Sequence, residues 1–172
     1  QKCRQCRRSS CLWPLPCSNY QCDGKRLLAL LHKDIPYFRG AASYLPDEET
    51  PVRSAAAKDL AQRAMAYSPE NPLYVIALGA ITNVASALIM DPSIADKIVI
   101  VWLGGHSLEY CDNKEFNLHQ DIAAARGVFK SEAPLGQLPC QGVVSGFATT
   151  KPELAEWLIG RNDLSTYLAE IT

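Results

Sequence analysis

Glu115 and Asn117, a carboxylate and an amide two residues apart in Lys114-Glu115-Phe116-Asn117, are the side chains of this sequence best suited to holding a polar ligand. A carboxylate accepts a hydroxyl proton, and an amide can both donate and accept, so the pair suits a hydroxyl-rich ligand such as a sugar. They follow, by some ten residues, the apolar run Ile98-Val99-Ile100-Val101-Trp102-Leu103 and its Gly104-Gly105 stop. A buried strand that ends in glycines and then delivers polar side chains is how an α/β protein presents a ligand-binding edge. His106 directly follows those glycines, where it can face a pocket and act as an acid near neutral pH. The plainer reading leaves Glu115 and Asn117 as solvated loop residues, His106 as a loop histidine and Phe116 as a packing residue.

The elements that must position these groups alternate along the chain. Asp23 can cap a helix reaching about Lys33, with His32 at its end, and Asp34-Ile35-Pro36-Tyr37-Phe38 reads as a short strand. After a proline-containing loop from Tyr44 to Val52, Ser54 caps a helix whose Ala57, Leu60, Ala61 and Ala64 form one apolar stripe. Pro69-Glu70-Asn71-Pro72 ends it. Leu73 to Leu78 is continuously apolar, as expected of a parallel strand covered on both faces by helices.

A helix after Thr82, which Thr82 can cap, places Val84, Ala85 and Leu88 on one side and stops near Asp91-Pro92, before the strand at about Lys97 to Leu103. Asp121 caps a further helix with Ile122, Ala125 and Phe129 inward, and His119 precedes it. Pro134 to Cys140 offers a third strand, interrupted by Gly136. Thr150-Lys151-Pro152-Glu153 is a capping box, Gly160 closes the helix carrying Leu154, Trp157 and Leu158, and a last helix buries Leu164, Tyr167, Leu168 and Ile171. The expected fold class is α/β: an open, mostly parallel sheet flanked by helices.

Composition narrows the function classes. The 172 residues, 48% hydrophobic and 20% charged, suffice for one core. A net charge of -1 argues against a nucleic-acid surface, which needs clustered cations, and no apolar run approaches the roughly 20 residues that cross a bilayer. A cytoplasmic location is the expectation. Cys3, Cys6, Cys11, Cys17 and Cys22 concentrate in residues 1–22, which read as a basic leader, disordered or non-native, with a zinc site or disulfides as the alternatives.

Three blocks in order carry a family resemblance. Leu78-Gly79-Ala80-Ile81-Thr82-Asn83-Val84-Ala85, then Val101-Trp102-Leu103-Gly104-Gly105, then Glu115-Phe116-Asn117 with Asp121 and Ala123-Ala124, together resemble the inosine-uridine preferring nucleoside hydrolases over residues 23–172. The resemblance implies a Rossmann-like open sheet and hydrolysis of the N-glycosidic bond of purine or pyrimidine ribonucleosides to base and ribose. It also implies a role in ribonucleoside catabolism and purine salvage. A bound calcium ion activates water in that family, where a hard cation suits oxygen ligands and the sugar passes through an oxocarbenium-like state.

By that resemblance Glu115 and Asn117 contact ribose, and the Thr82 main-chain carbonyl is a calcium ligand. The family's aspartate-rich opening, which supplies most calcium ligands, has no counterpart here, nor does its later histidine-aspartate segment; Glu109 replaces a common asparagine. The chain is therefore expected to be truncated at both ends and weakly active or inactive, with self-association as a further expectation. The alternative is a non-catalytic ribose-binding or structural remnant with a zinc-binding cysteine-rich N-terminus.

Overall fold

The computed structural model describes residues 17–172, and side chains from residue 24 onward. Cys3, Cys6 and Cys11 lie outside the described residues, as do the side chains of Cys17 and Cys22, so the zinc and disulfide expectations fall there too, while residues 17–22 of the expected leader open the first helix. The elements run α1 (Cys17–Leu30), α2 (Ala55–Ala64), β1 (Leu73–Ala77), α3 (Thr82–Met90), β2 (Ile98–Leu103), α4 (Phe116–Gln120), α5 (Ile122–Lys130), β3 (Leu135–Leu138), α6 (Lys151–Leu158) and α7 (Asp163–Ile171). A 3-10 turn, Pro92–Lys97, joins α3 to β2.

The three strands form a parallel sheet in the order β1-β2-β3, with Val75 opposite Ile100 and Val101 opposite Gly136. Parallel pairing requires a crossover after each strand, and α3 after β1 and α4–α5 after β2 supply them. Every strand therefore ends on the same edge of the sheet. Gly136 in the centre of β3 is tolerated because β3 is an outer strand of this sheet with four residues only.

Alternation along β2 places Ile98, Ile100 and Trp102 fully inside, where α2, α3 and α5 cover them with Ala64, Val84, Ala85, Leu88, Ala125 and Val128. The expected covering of both sheet faces is corrected: among the described residues the opposite face stays open, with Tyr74 65%, Ile76 61% and Leu78 69% exposed. Continuous apolar sequence does not distinguish a two-sided core strand from one whose second face lacks a helix.

Several local expectations hold and several change. Ser54 caps α2 by accepting from the Ala57 N–H at 3.0 Å, and Thr150 and Glu153 form the capping box of α6. The first helix begins at Cys17, so Asp23 lies within it and is no cap; His32 takes φ 51° just past its end. Residues 34–38 form no strand, and 40–52 are instead tied to α3. Asn83 Oδ1 accepts from the Ala41 N–H at 2.9 Å and from Ser54 Oγ at 2.8 Å, while Ser86 Oγ accepts from the Val52 N–H at 3.1 Å. Side chains of one helix thus replace the neighbouring strand that an extended segment would need.

Helix α2 ends at Ala64, before Pro69, and Ser68 and Asn71 bridge the turn between them. Ile122 and Phe129 are 43% and 47% exposed rather than inward, although the Phe129 ring still meets Trp102 at 5.9 Å. On α6 and α7, Trp157, Leu168 and Ile171 are exposed, and Arg26 of α1 stacks 4.0 Å over the Tyr167 ring. Helix α6 pairs with α7, and α7 also meets α1.

Candidate active site

The carboxyl end of β2 is fastened almost residue by residue. Leu103 O accepts from Asn117 Nδ2 at 2.9 Å, Gly104 O from Gln137 Nε2 at 2.8 Å, and Gly105 O from the Cys140 N–H at 2.8 Å. The Gly105 N–H donates to Glu115 Oε2 at 2.9 Å, and the His106 N–H to Asn113 Oδ1. Glycines are required here for space. A Cβ on Gly104 would stand 2.3 Å from the Trp102 ring, and one on Gly105, at φ +78°, would stand 2.7 Å from Gln137 Nε2. Trp102 is anchored in turn by Nε1–H to Gly79 O at 2.9 Å, which joins the ends of β1 and β2.

Glu115 is not a solvated loop residue. It caps α4, a short helix that periodicity does not reveal, and is only 4% exposed. Its Oε1 accepts from the Asn117 N–H and its Oε2 from the Gly105 and Leu118 N–H groups, each at 2.9 Å. A carboxylate offers about four lone-pair positions, so one on Oε1 stays open. Asn117 is 8% exposed and donates to Leu103 O, while its Oδ1 accepts nothing among the described residues. Glu115 and Asn117 therefore share one edge, each with acceptor capacity left. Phe116 between them is 50% exposed rather than packed.

His106 follows Gly105 in the chain and is half-buried, its ring tilted 5.7 Å from Tyr110. Its Nδ1 accepts from the Gln141 N–H at 3.4 Å, so Nε2–H is the donor it can present. His119 falls inside α4 and is exposed, instead of preceding the next helix.

Thr82 begins α3 at the same sheet edge, 4% exposed. It does not cap that helix: Ile81 is the N-cap and makes no side-chain cap bond. Its hydroxyl donates instead to Asp121 Oδ2 at 2.5 Å. Asp121 caps α5, as its place before Ile122 predicts, by accepting from the Ala124 N–H at 3.0 Å; its second oxygen also accepts from the Leu45 N–H at 3.0 Å. Sequence reading misses this tie because the partners are 39 and 76 residues away.

Among the described residues no three His, Cys, Asp or Glu side chains gather where they could hold a metal ion. No such cluster of ligands stands at the Thr82 carbonyl among the described residues, and no chemical step is derived through calcium. No described helix is long and apolar enough to cross a membrane.

A profile of the family described as inosine-uridine preferring nucleoside hydrolase matches residues 19–172. The chain belongs to that family. A solved structure of a purine-preferring ribonucleoside hydrolase from Gardnerella vaginalis is similar at 29% identity and TM-score 0.60, covering 70% of this chain and 38% of that one. An inosine-uridine preferring nucleoside hydrolase from Bacillus anthracis shares the fold at 20% identity and TM-score 0.53, covering 70% and 43%. This nucleoside hydrolase family member therefore spans less than half the length of either relative. No curated protein sequence matches it.

Proposed function

We propose that this chain carries the ribose-recognising edge of a ribonucleoside hydrolase. The observation supporting it is the Glu115–Asn117 block pinned to the carboxyl end of β2, with open acceptor positions on Glu115 Oε1 and Asn117 Oδ1. Two acceptors on one rigid edge suit two neighbouring hydroxyls of a ribose, and their backbone bonds fix them before the sugar arrives, which lowers the ordering cost of binding.

In hydrolysis, water attacks the anomeric carbon, the C–N bond breaks and the departing base takes a proton. Charge accumulates on the sugar ring in between, and carboxylate and amide oxygens near the hydroxyls stabilise it. The proton gained by the base balances the one lost by the attacking water, and the candidate group facing the base is His106, whose Nε2–H can hydrogen-bond it, with Tyr110 against its ring. Calcium belongs to the proposal through the Thr82 carbonyl only, and its remaining ligands would come from outside the described residues.

The test uses the full chain with inosine, uridine and their 2′-deoxy counterparts, following reducing-sugar release and backbone amide resonances. Ribonucleosides are expected to shift Gly105, Asn117 and Leu118, and the deoxy compounds to shift them less. Equal response to both sugars, or no response at those amides and no sugar release, overturns the proposal. Binding without release would mark a ribose-binding module instead of a hydrolase.

A further inference from the structure

We infer that Asp121 is a positioning residue for the sugar-facing block, acting through Thr82, an inference that rests on the ribose-binding reading of Glu115 and Asn117. Capping α5 needs only one acceptor, and Asp121 Oδ1 supplies it to the Ala124 N–H. The Thr150 and Asn162 caps are exposed, whereas Asp121 is 3% exposed and its Oδ2 takes two further donors from distant segments. Burying a carboxylate is costly unless its oxygens are bonded, so the chain gains from this placement only if all three donors stay in place.

The geometry of the three bonds decides what they control. Asp121 closes α4 and opens α5, and α4 is five residues long, so its backbone is only a helical turn from Asn117. Thr82 sits at the head of α3, where the chain leaves β1; α4 hangs from the chain leaving β2. The Thr82 hydroxyl bond at 2.5 Å therefore spans the two strand-to-helix connections at the carboxyl edge of the sheet. The Leu45 N–H adds the loop tied to α3 by Asn83 and Ser86. Without this bond nothing polar on α3 reaches the α4–α5 junction through Asp121, and the junction keeps only the bonds from the 40–52 loop, Leu45 N–H to Asp121 and the Tyr44 hydroxyl to Gln120 Oε1, beside those of the Glu115–Asn117 block to β2.

Thr82→Val removes the hydroxyl while keeping the branched shape, and Thr82→Ser restores the hydroxyl with less bulk. Both leave the Ala124 cap and the Leu45 bond in place. Amide resonances of the unliganded full-length variants and their dissociation constants for inosine are compared with wild type. Thr82→Val is expected to move the Asn117 and Leu118 resonances and weaken inosine binding about tenfold, and Thr82→Ser to return both close to wild type.

A fall in melting temperature with resonance changes confined to Thr82, Asp121 and Leu45, and unaltered inosine affinity, overturns the inference: Asp121 would then be a structural tie only. If wild type binds no nucleoside, the ribose reading fails by itself. The unliganded resonances still decide the coupling, and an unmoved Asn117 amide refutes it.

Discussion

Glu115→Ala should cost this chain a large share of its stability, and the structure says why. The carboxylate accepts three backbone N–H bonds at 2.9 Å, two of them buried, from Gly105 and Asn117, and one partly exposed, from Leu118. A hydrogen bond to a charged group contributes about 1.5–3 kcal/mol net, and a buried donor left unpaired costs about 1–3 kcal/mol. Taking about 1.5 kcal/mol for each buried donor and about 1 kcal/mol for the partly wet one gives a loss of about 4 kcal/mol. A domain of this size has about 5–15 kcal/mol in total.

Glu115→Gln separates charge from acceptor count. Its single oxygen can take the place of Oε2 and keep two of the three bonds, while its NH2 then faces the Asn117 N–H, so the cost is about 1–2 kcal/mol. Urea unfolding followed by far-UV circular dichroism, extrapolated linearly, measures both. An Ala variant within about 1 kcal/mol of wild type, or a Gln variant as unstable as Ala, would refute the view that these bonds hold the loop.

Gly104→Ala is expected to destabilise by about 2–3 kcal/mol, because its Cβ would stand 2.3 Å from the fully buried Trp102 ring. Gly79→Ala, with nothing within 4 Å of its Cβ, serves as the control and should change the urea midpoint little. Asn117→Ala should cost about 1 kcal/mol through the lost bond to Leu103 O and abolish ribonucleoside-induced shifts at Gly105, as read by NMR titration. The Thr150 N–H, then the Thr150 and Thr149 hydroxyls, hold Glu153 below its ordinary value of 4.5. A depressed folded-state value means the capping contribution is present above pH 4.5 and lost as pH falls through the depressed value. Amide exchange in the first turn of α6 should accelerate over that acidic range, and Glu153→Gln should remove the pH dependence.

What the sequence determines by itself are the features whose physics is local or periodic. Apolar runs closed by glycine or proline locate β1 and β2, and polar caps at Ser54, Asp121 and Thr150 locate three helix starts, since a cap bonds an amide only two or three residues ahead. The glycine pair before Glu115 and Asn117 likewise places the candidate site on the carboxyl edge of β2. Glu115 as the cap of α4 escaped this reading because a helix of five residues has no period to detect and glutamate is not a favoured cap.

Tertiary structure alone decided which face of the sheet is covered and what the polar side chains hold. Tyr74 and Ile76 alternate with Leu73, Val75 and Ala77 in an unbroken apolar strand, so nothing in their chemistry tells the covered face from the open one. Thr82 is equally ambiguous, a cap by its position and an Asp121 donor by its surroundings. Its hydroxyl reaches a partner 39 residues away, and only the packing of α3 against α5 brings that carboxylate within 2.5 Å. Local sequence limits which bonds a side chain can make; the fold chooses among them by setting which partner is buried beside it.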